Sequence, residues 1–107
     1  MNSPLPYCVY ILFSEKDYLL YIGFTANLKK RIETHNAGGN KSTAYRRPLQ
    51  LIFCEYYIFE QDARKREKYF KTTMGKKAIK LMLAGTLEKL GYKSVQTVKL
   101  SILHEDE

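Results

Sequence analysis

Glu67 is a lone carboxylate on the apolar stripe of a predicted helix, a face otherwise reserved for the core. Four basic residues surround it in sequence: Arg64, Lys65, Arg66 and Lys68. A carboxylate that leaves water without a partner loses a large solvation energy, which only a strong partner offsets. We therefore expect Glu67 to contact a cation, an arginine or a metal ion. A structural ion pair with Arg31 is the alternative that involves no ligand.

A second group of candidate residues comprises an arginine, a histidine and two tyrosines. Arg31 and His35 are four residues apart, so on a helix they share one face and can point into the same cleft. Tyr10 and Tyr21 lie in the two arms of a predicted β-hairpin, where their phenols would stand side by side. Gly23, near the end of the second arm, would leave room for a close approach of backbone or ligand.

The charge of the chain is concentrated in its middle. The 18 Lys and Arg exceed the 11 Asp and Glu by 7, and residues 29–80 alone hold fourteen basic and five acidic residues. This pattern favours a polyanionic partner, with interleaved aromatic rings that can stack on bases. We expect four basic residues to bind it: Lys30, Lys41, Arg46 and Arg47. A solvated helix surface is the alternative interpretation of the same charges.

Two apolar and aromatic runs at residues 7–13 and 18–24 predict the hairpin, joined by a loop of four polar residues, 14–17. If Phe13 and Tyr18 close this loop, Tyr10 falls directly opposite Tyr21. Residues 38–44 are predicted to form a mobile loop, and residues 49–57 a third strand.

A helix is predicted at residues 28–36, capped by Thr25 or Asn27, with an inward stripe of Leu28, Ile32 and His35. A second helix, 60–71, has its apolar stripe at Phe59, Ala63, Phe70 and Met74. A third helix, 76–90, is predicted to break at Gly85 and to pack through Ile79, Leu81, Met82, Leu83 and Leu87. Residues 92–103 are weakly strand-like, and an acidic tail follows at 105–107.

The composition excludes several classes of protein. A chain of 107 residues that is 45% hydrophobic and 27% charged predicts one folded domain rather than a disordered protein. No apolar run reaches the roughly 18 residues of a membrane-spanning helix, and residues 1–6 do not resemble a secretory signal. We therefore predict a cytoplasmic protein without a membrane partner. Cys8 and Cys54 are predicted to be reduced, small buried hydrophobic residues.

Taken together, the motifs resemble the GIY-YIG nuclease domain. They are Val9-Tyr10-Ile11, Tyr21-Ile22-Gly23, Thr25, Asn27-Leu28, Arg31, His35-Asn36, Tyr45 and Glu67. The chain is most similar to the small single-domain bacterial subgroup, whose members are relatives of the nuclease half of an excision-repair protein. The resemblance implies an α/β (α+β) fold with a three-stranded antiparallel sheet flanked by helices. The nuclease domain would occupy residues 1–86, and 87–107 would be a C-terminal helical extension rather than an independent domain.

The resemblance also implies an activity, which is metal-dependent hydrolysis of nucleic-acid phosphodiester bonds by an endonuclease acting in DNA repair or recombination. Glu67 matches the ligand of a divalent metal, expected to be Mg²⁺ or Mn²⁺. Tyr10 and Tyr21 match the motif tyrosines, at least one of which acts on the attacking water. Arg31 matches the residue that binds the scissile phosphate. His35 matches a position that orients water or relays a proton.

Two further positions are implied to lie near substrate, since Tyr45 would contact the phosphate or close the site and Gly23 would admit backbone close to the reacting group. The expected partner is nucleic acid, namely DNA, together with a protein that supplies specificity, and the chain would be a monomer or a weak homodimer. Many family nucleases carry an Asn after the glutamate helix, whereas this chain has none after Asn40. That departure keeps open a nucleic-acid-binding module with little or no activity, and a protein-interaction adaptor that uses the Leu-rich C-terminal region is a third alternative.

Overall fold

A three-stranded antiparallel sheet forms the centre of the fold. The structure is a computed structural model and describes residues 5–92. Its strands are β1 (Tyr7–Ser14), β2 (Leu20–Thr25) and β3 (Leu49–Tyr57), in the spatial order β2-β1-β3. The central strand β1 is buried over nearly its whole length because it has neighbours on both sides. The predicted sheet and the predicted bounds of the third strand are confirmed.

The predicted pairing of the hairpin is wrong by two residues. Tyr10 pairs with Gly23, whereas Tyr21 pairs with Leu12. The loop is longer than predicted because Ser14 Oγ accepts hydrogen bonds from the backbone N–H groups of residues 16 and 17, at 3.2 and 3.1 Å. A shift of two residues keeps a side chain on the same face of the sheet. Tyr10 and Tyr21 are therefore diagonal neighbours, with ring centroids 6.3 Å apart.

Two helices lie beside the tyrosine-bearing face of the sheet. Helix α1 (Leu28–Asn36) has the predicted bounds, and Asn27 caps it by accepting a 3.1 Å hydrogen bond from the Lys30 N–H. Leu28 and Ile32 pack against the buried residues of this face. The segment predicted to be a loop instead contains a short helix, α2 (Lys41–Ala44). The prediction failed there because the Asn40 side chain caps this helix by accepting from the Ser42 N–H at 3.0 Å.

Helices α3 (Glu60–Phe70) and α4 (Thr73–Met82) cover the opposite face, and α5 (Ala84–Leu90) follows them. The core of this face is formed by five buried residues: Val9, Ile11, Ala63, Phe70 and Ile79. The third helix is thus two helices that separate at Leu83 rather than at Gly85, and the domain boundary expected at residue 86 falls within α5. The strand-like residues 93–103 and the acidic tail lie outside the described residues.

Four residues that were predicted to belong to the core are instead exposed: Phe59, Met74, Leu81 and Met82, at 61, 66, 82 and 44%. The chain turns between α3 and α4, so Met74 does not lie on the buried face that Ala63 and Phe70 form on α3. On α4 the buried stripe is Gly75 and Ile79. A residue two positions beyond Ile79 points to the other side of the helix, which explains the exposure of Leu81.

Both cysteines are free thiols, and they differ in burial. Cys8 on the central strand is buried, as predicted, whereas the prediction is wrong for Cys54. It is exposed because β3 is an edge strand that the helices cover incompletely. Within residues 5–92, no helix is long and apolar enough to cross a membrane.

Candidate active site

The Tyr10 phenol is the point at which the candidate residues meet. Its oxygen lies 2.8 Å from His35 Nε2 and 3.4 Å from Arg31 Nε, which donates a hydrogen bond to it. Strand β1 supplies the tyrosine, and two residues one helical turn apart on α1 supply its partners. The prediction that Arg31 and His35 point to one place is confirmed.

Gly23 makes room for the Tyr10 ring. A Cβ atom at this position would lie 2.4 Å from both Cζ and the hydroxyl oxygen of Tyr10, well inside van der Waals contact. From the sequence, the close approach expected at this glycine was that of backbone or ligand. The structure fills that space with a side chain of the protein itself, so Gly23 fixes the position of the phenol against β2.

The two tyrosines differ in their access to solvent. Tyr10 is fully buried, and Tyr21 is half-buried. Burial raises the pKa of Tyr10 to about 12, against the opposing effect of the Arg31 hydrogen bond. The hydrogen bond to Tyr10 is the largest influence that raises the pKa of Arg31, and the Tyr21 phenol acts in the same direction. One guanidinium group therefore interacts with both phenols.

His35 is a neutral, buried imidazole. Burial is the main cause that lowers its pKa, and the nearby positive charge of Arg31 adds to the effect. Its Nε2 contacts Tyr10, and its Nδ1 lies 2.8 Å from Thr43 Oγ1 on α2. The ring centroid of His35 is also 5.2 Å from that of Tyr21, in an edge-on arrangement. His35 thus contacts both motif tyrosines and the helix that follows α1.

The lowered pKa of His35 predicts a loss of stability in mild acid. The unfolded chain takes up a proton on this group near pH 6.5, whereas the folded chain resists protonation until lower pH. Stability is therefore complete above pH 6.5 and should decline as the pH falls below it. Melting temperatures between pH 7.5 and 5 should show this decline in the wild type and a flatter profile in His35→Gln. Parallel profiles for the two proteins would contradict the prediction.

Glu67 lies on α3, with a side chain that is 20% exposed, and its carboxylate is 3.0 Å from Lys71 Nζ. The strong partner predicted from the sequence is therefore a lysine, and the alternative of a pair with Arg31 is wrong because Arg31 binds Tyr10 instead. The negative charge of Glu67 is one of the influences that raise the pKa of Tyr10. Among the described residues, however, no hydrogen bond or ion pair joins Glu67 to the phenol cluster, and its ion-pair partner is Lys71.

Glu67 does not belong to a preformed cluster of metal-binding side chains in the part of the chain that the structure describes. Among the residues that the structure describes, no three His, Cys, Asp or Glu side chains are grouped so that they could hold an ion. Mg²⁺ commonly binds through one or two carboxylates, with water and substrate phosphate oxygens as its other ligands. The partly exposed carboxylate of Glu67 fits this mode of binding.

The residues expected to bind substrate fall into two groups. Lys30, Lys41 and Tyr45 are exposed. Arg46 is half-buried and is held by Asp17 at 2.6 Å, whereas Arg47 is exposed but donates to the carbonyl oxygen of Ala44 at 2.8 Å and to that of Asn36 at 3.4 Å. These two arginines therefore hold the segment around α2 in place.

Sequence reasoning did not identify Thr43, which is fully buried. A threonine in a predicted loop has no sequence feature that marks it as part of a functional site. The one indication was the histidine, since a buried imidazole needs partners for both ring nitrogens. Tyr10 supplies one of these partners, and Thr43 supplies the other.

Comparison with known proteins places this geometry in a family. The family model described as the GIY-YIG catalytic domain matches residues 6–80. UPF0213 protein YazA of Bacillus subtilis is 46% identical over 63 residues, which are 58% of this chain and 64% of the relative, so the chain spans less than two thirds of that protein. UPF0213 protein CPE1444 of Clostridium perfringens is 38% identical over 85 residues, 78% of this chain and 90% of the relative. No solved structure matches the chain significantly. The match covers more than half of the chain, in a range that contains the candidate site residues, and the chain therefore belongs to the GIY-YIG family.

Proposed function

We propose that this protein is a metal-dependent endonuclease that hydrolyses phosphodiester bonds in DNA. The observation that carries the proposal is the convergence of Arg31 and His35 on the Tyr10 phenol, with Tyr21 beside them. Membership of a family whose domain is described as catalytic supports a nuclease activity.

Burial distinguishes the roles of the two tyrosines. Tyr21 is partly exposed to solvent, so we assign it the contact with the attacking water. Tyr10 is fully buried and holds Arg31 and His35 in place. The Arg31 guanidinium uses Nε for this contact and also interacts with the Tyr21 phenol, and its remaining N–H groups would bind the scissile phosphate and stabilise the negative charge that develops there.

Glu67 would hold the divalent metal, Mg²⁺ or Mn²⁺. When bound, such an ion lowers the pKa of a coordinated water and stabilises negative charge on phosphate oxygens. The Lys71 side chain beside Glu67 is 54% exposed, so its ammonium group can move into solvent when a cation of higher charge approaches the carboxylate. Exposed Lys30, Lys41 and Tyr45 would contact the nucleic acid away from the scissile bond.

The wider role belongs to the same proposal. We place the protein in the cytoplasm, in DNA repair or recombination, as a monomer or weak homodimer. A protein partner that supplies sequence or structure specificity belongs to this proposal as well. The alternative is a binding module with little activity, which the lack of an Asn after Asn40 favours.

Cleavage of a substrate panel tests the function. Labelled duplex, single-stranded, flapped and branched DNA, and RNA, are incubated with the protein and Mg²⁺, Mn²⁺ or EDTA. We expect products from a DNA substrate with either metal and none with EDTA. If the protein binds the panel but gives no metal-dependent products, the binding module is favoured instead. Salt dependence of binding does not separate the two functions by itself, because phosphate contacts weaken steeply with salt in either case.

The roles of the tyrosines predict different effects of removing each hydroxyl. Tyr21→Phe should lower kcat by about 10²-fold or more while leaving stability unchanged, because a group that acts on water is lost. Tyr10→Phe should lower the melting temperature as well as kcat, because it leaves buried His35 Nε2 without its hydrogen-bond partner. Thermal denaturation and single-turnover cleavage of both variants measure these effects. A Tyr21→Phe protein with wild-type kcat would exclude Tyr21 as the group that acts on water.

A further inference from the structure

Thr43 contacts the candidate active site through a second residue. Its hydroxyl oxygen lies 2.8 Å from His35 Nδ1 and 3.5 Å from the carbonyl oxygen of Asn40. The His35 ring, in turn, contacts Tyr10, which accepts a hydrogen bond from Arg31. A continuous chain of hydrogen bonds therefore joins helix α2 to the arginine of the site.

The chemistry of the groups fixes the direction of this chain. Of the two partners of the Tyr10 hydroxyl, Arg31 Nε is solely a donor, so the buried phenol proton must be accepted by His35 Nε2. A neutral imidazole carries a single ring proton, which is therefore on Nδ1 and is donated to Thr43 Oγ1. The threonine hydroxyl can then donate to the Asn40 carbonyl oxygen, which is solely an acceptor.

We infer that Thr43 is a positioning residue that holds His35 in the Nδ1-protonated tautomer and thereby orients Tyr10 and Arg31. The inference rests on the proposed function for its effect on cleavage, although the tautomer itself does not depend on activity. With Nε2 protonated instead, both His35 and Arg31 would donate to the phenol oxygen. The Tyr10 proton would then have no acceptor among the described residues.

The capped helix α2 explains how threonine can hold this position. The side-chain Oδ1 of Asn40 accepts hydrogen bonds from the N–H and the hydroxyl of Ser42, at 3.0 and 2.7 Å. The backbone carbonyl of Asn40 faces the Thr43 hydroxyl. Thr43 is fully buried, so water cannot readily replace its hydroxyl. Valine has nearly the same shape but cannot accept from Nδ1, whereas serine retains the hydroxyl.

The test compares Thr43→Val and Thr43→Ser with the wild type by ¹⁵N NMR of the histidine rings and by single-turnover cleavage. The chain has two histidines, and a His104→Gln variant assigns the His35 signals. We expect a protonated Nδ1 and an unprotonated Nε2 in the wild type and in Thr43→Ser, and loss of this pattern in Thr43→Val. Cleavage by Thr43→Val should fall by about 10- to 100-fold, by analogy with the loss of the residue that orients a metal-binding histidine, and Thr43→Ser should retain most of it.

Thr34→Val is the matched control, because Thr34 donates to a carbonyl within α1 and does not contact the cluster. It should keep the wild-type tautomer and the wild-type rate. Protonation of His35 Nε2 in the wild type, or an unchanged tautomer in a folded Thr43→Val protein, would overturn the inference. A wild type that cuts no substrate yet shows the expected tautomer, lost in Thr43→Val, would reject the proposed function while confirming the positioning by Thr43.

Discussion

Replacement of Arg31 by lysine is expected to lower kcat/KM for cleavage by about 10²–10³-fold, the range found when one donor to a developing charge is removed. Lysine keeps the positive charge but lacks the planar fork, so it cannot contact Tyr10 through one nitrogen and a phosphate through two others. Arg31→Ala should be similarly impaired. Single-turnover cleavage at saturating and subsaturating protein separates the effects on kcat and KM.

Lys29→Ala is the matched control for this prediction. Lys29 is two residues from Arg31 on the same helix, it is exposed, and its side chain is outside the phenol cluster. The variant should retain the wild-type rate within a few-fold and show a slightly smaller salt dependence. If Arg31→Lys retained the wild-type kcat/KM, the guanidinium would have no role beyond its charge, and the assigned geometry would be wrong.

Gly75→Ala is expected to destabilise the fold by more than about 3 kcal/mol, beyond the usual cost of overpacking. A Cβ at this position would lie 1.8 Å from the carbonyl oxygen of Tyr69, which belongs to the backbone of α3 and cannot rotate away. The variant can fold only if α4 moves away from α3, the helix that carries Glu67. Urea denaturation measures the loss of stability.

Gly85→Ala provides the comparison for Gly75→Ala. Gly85 is in α5, and a Cβ added there would meet no atom within 4 Å from the described residues outside its own helix backbone and its chain neighbours. Since alanine favours a helix over glycine by up to about 1 kcal/mol, this change should be neutral or stabilising. Equal denaturation midpoints for the two variants would show that the close packing of α3 and α4 does not limit stability.

Much of the fold could be predicted from local pattern. Helix α1 and strand β3 have their predicted bounds because caps, apolar spacing and turn residues agree there. The hairpin register could not be predicted, because it depends on Ser14 accepting hydrogen bonds within its own loop and on the Arg46–Asp17 ion pair, whose residues are far apart in sequence. Helix α2 was missed because four residues are too few to show a period.

Part of the site could also be predicted from local sequence pattern. The spacing of Arg31 and His35 on one helix suffices to bring them together. The partner of Glu67 was less accessible to sequence reasoning, because Lys71, one turn later, was one basic residue among several on the same helix. The role of Thr43 depends on a contact between α1 and α2, which periodicity does not encode.

Cleavage by wild type, Glu67→Gln and Glu60→Gln, purified in parallel and assayed with Mg²⁺ or EDTA, tests the central claim most directly. Glu60 lies on the same helix in an exposed pair with Arg64, so its variant controls for the loss of an acidic side chain on α3. The wild type and Glu60→Gln should give the same Mg²⁺-dependent products. Glu67→Gln should be slower by at least about a hundredfold, because a bound metal supplies several kcal/mol to this type of reaction. Products that persist in EDTA, or at the wild-type rate in Glu67→Gln, would contradict a metal-dependent nuclease centred on Glu67.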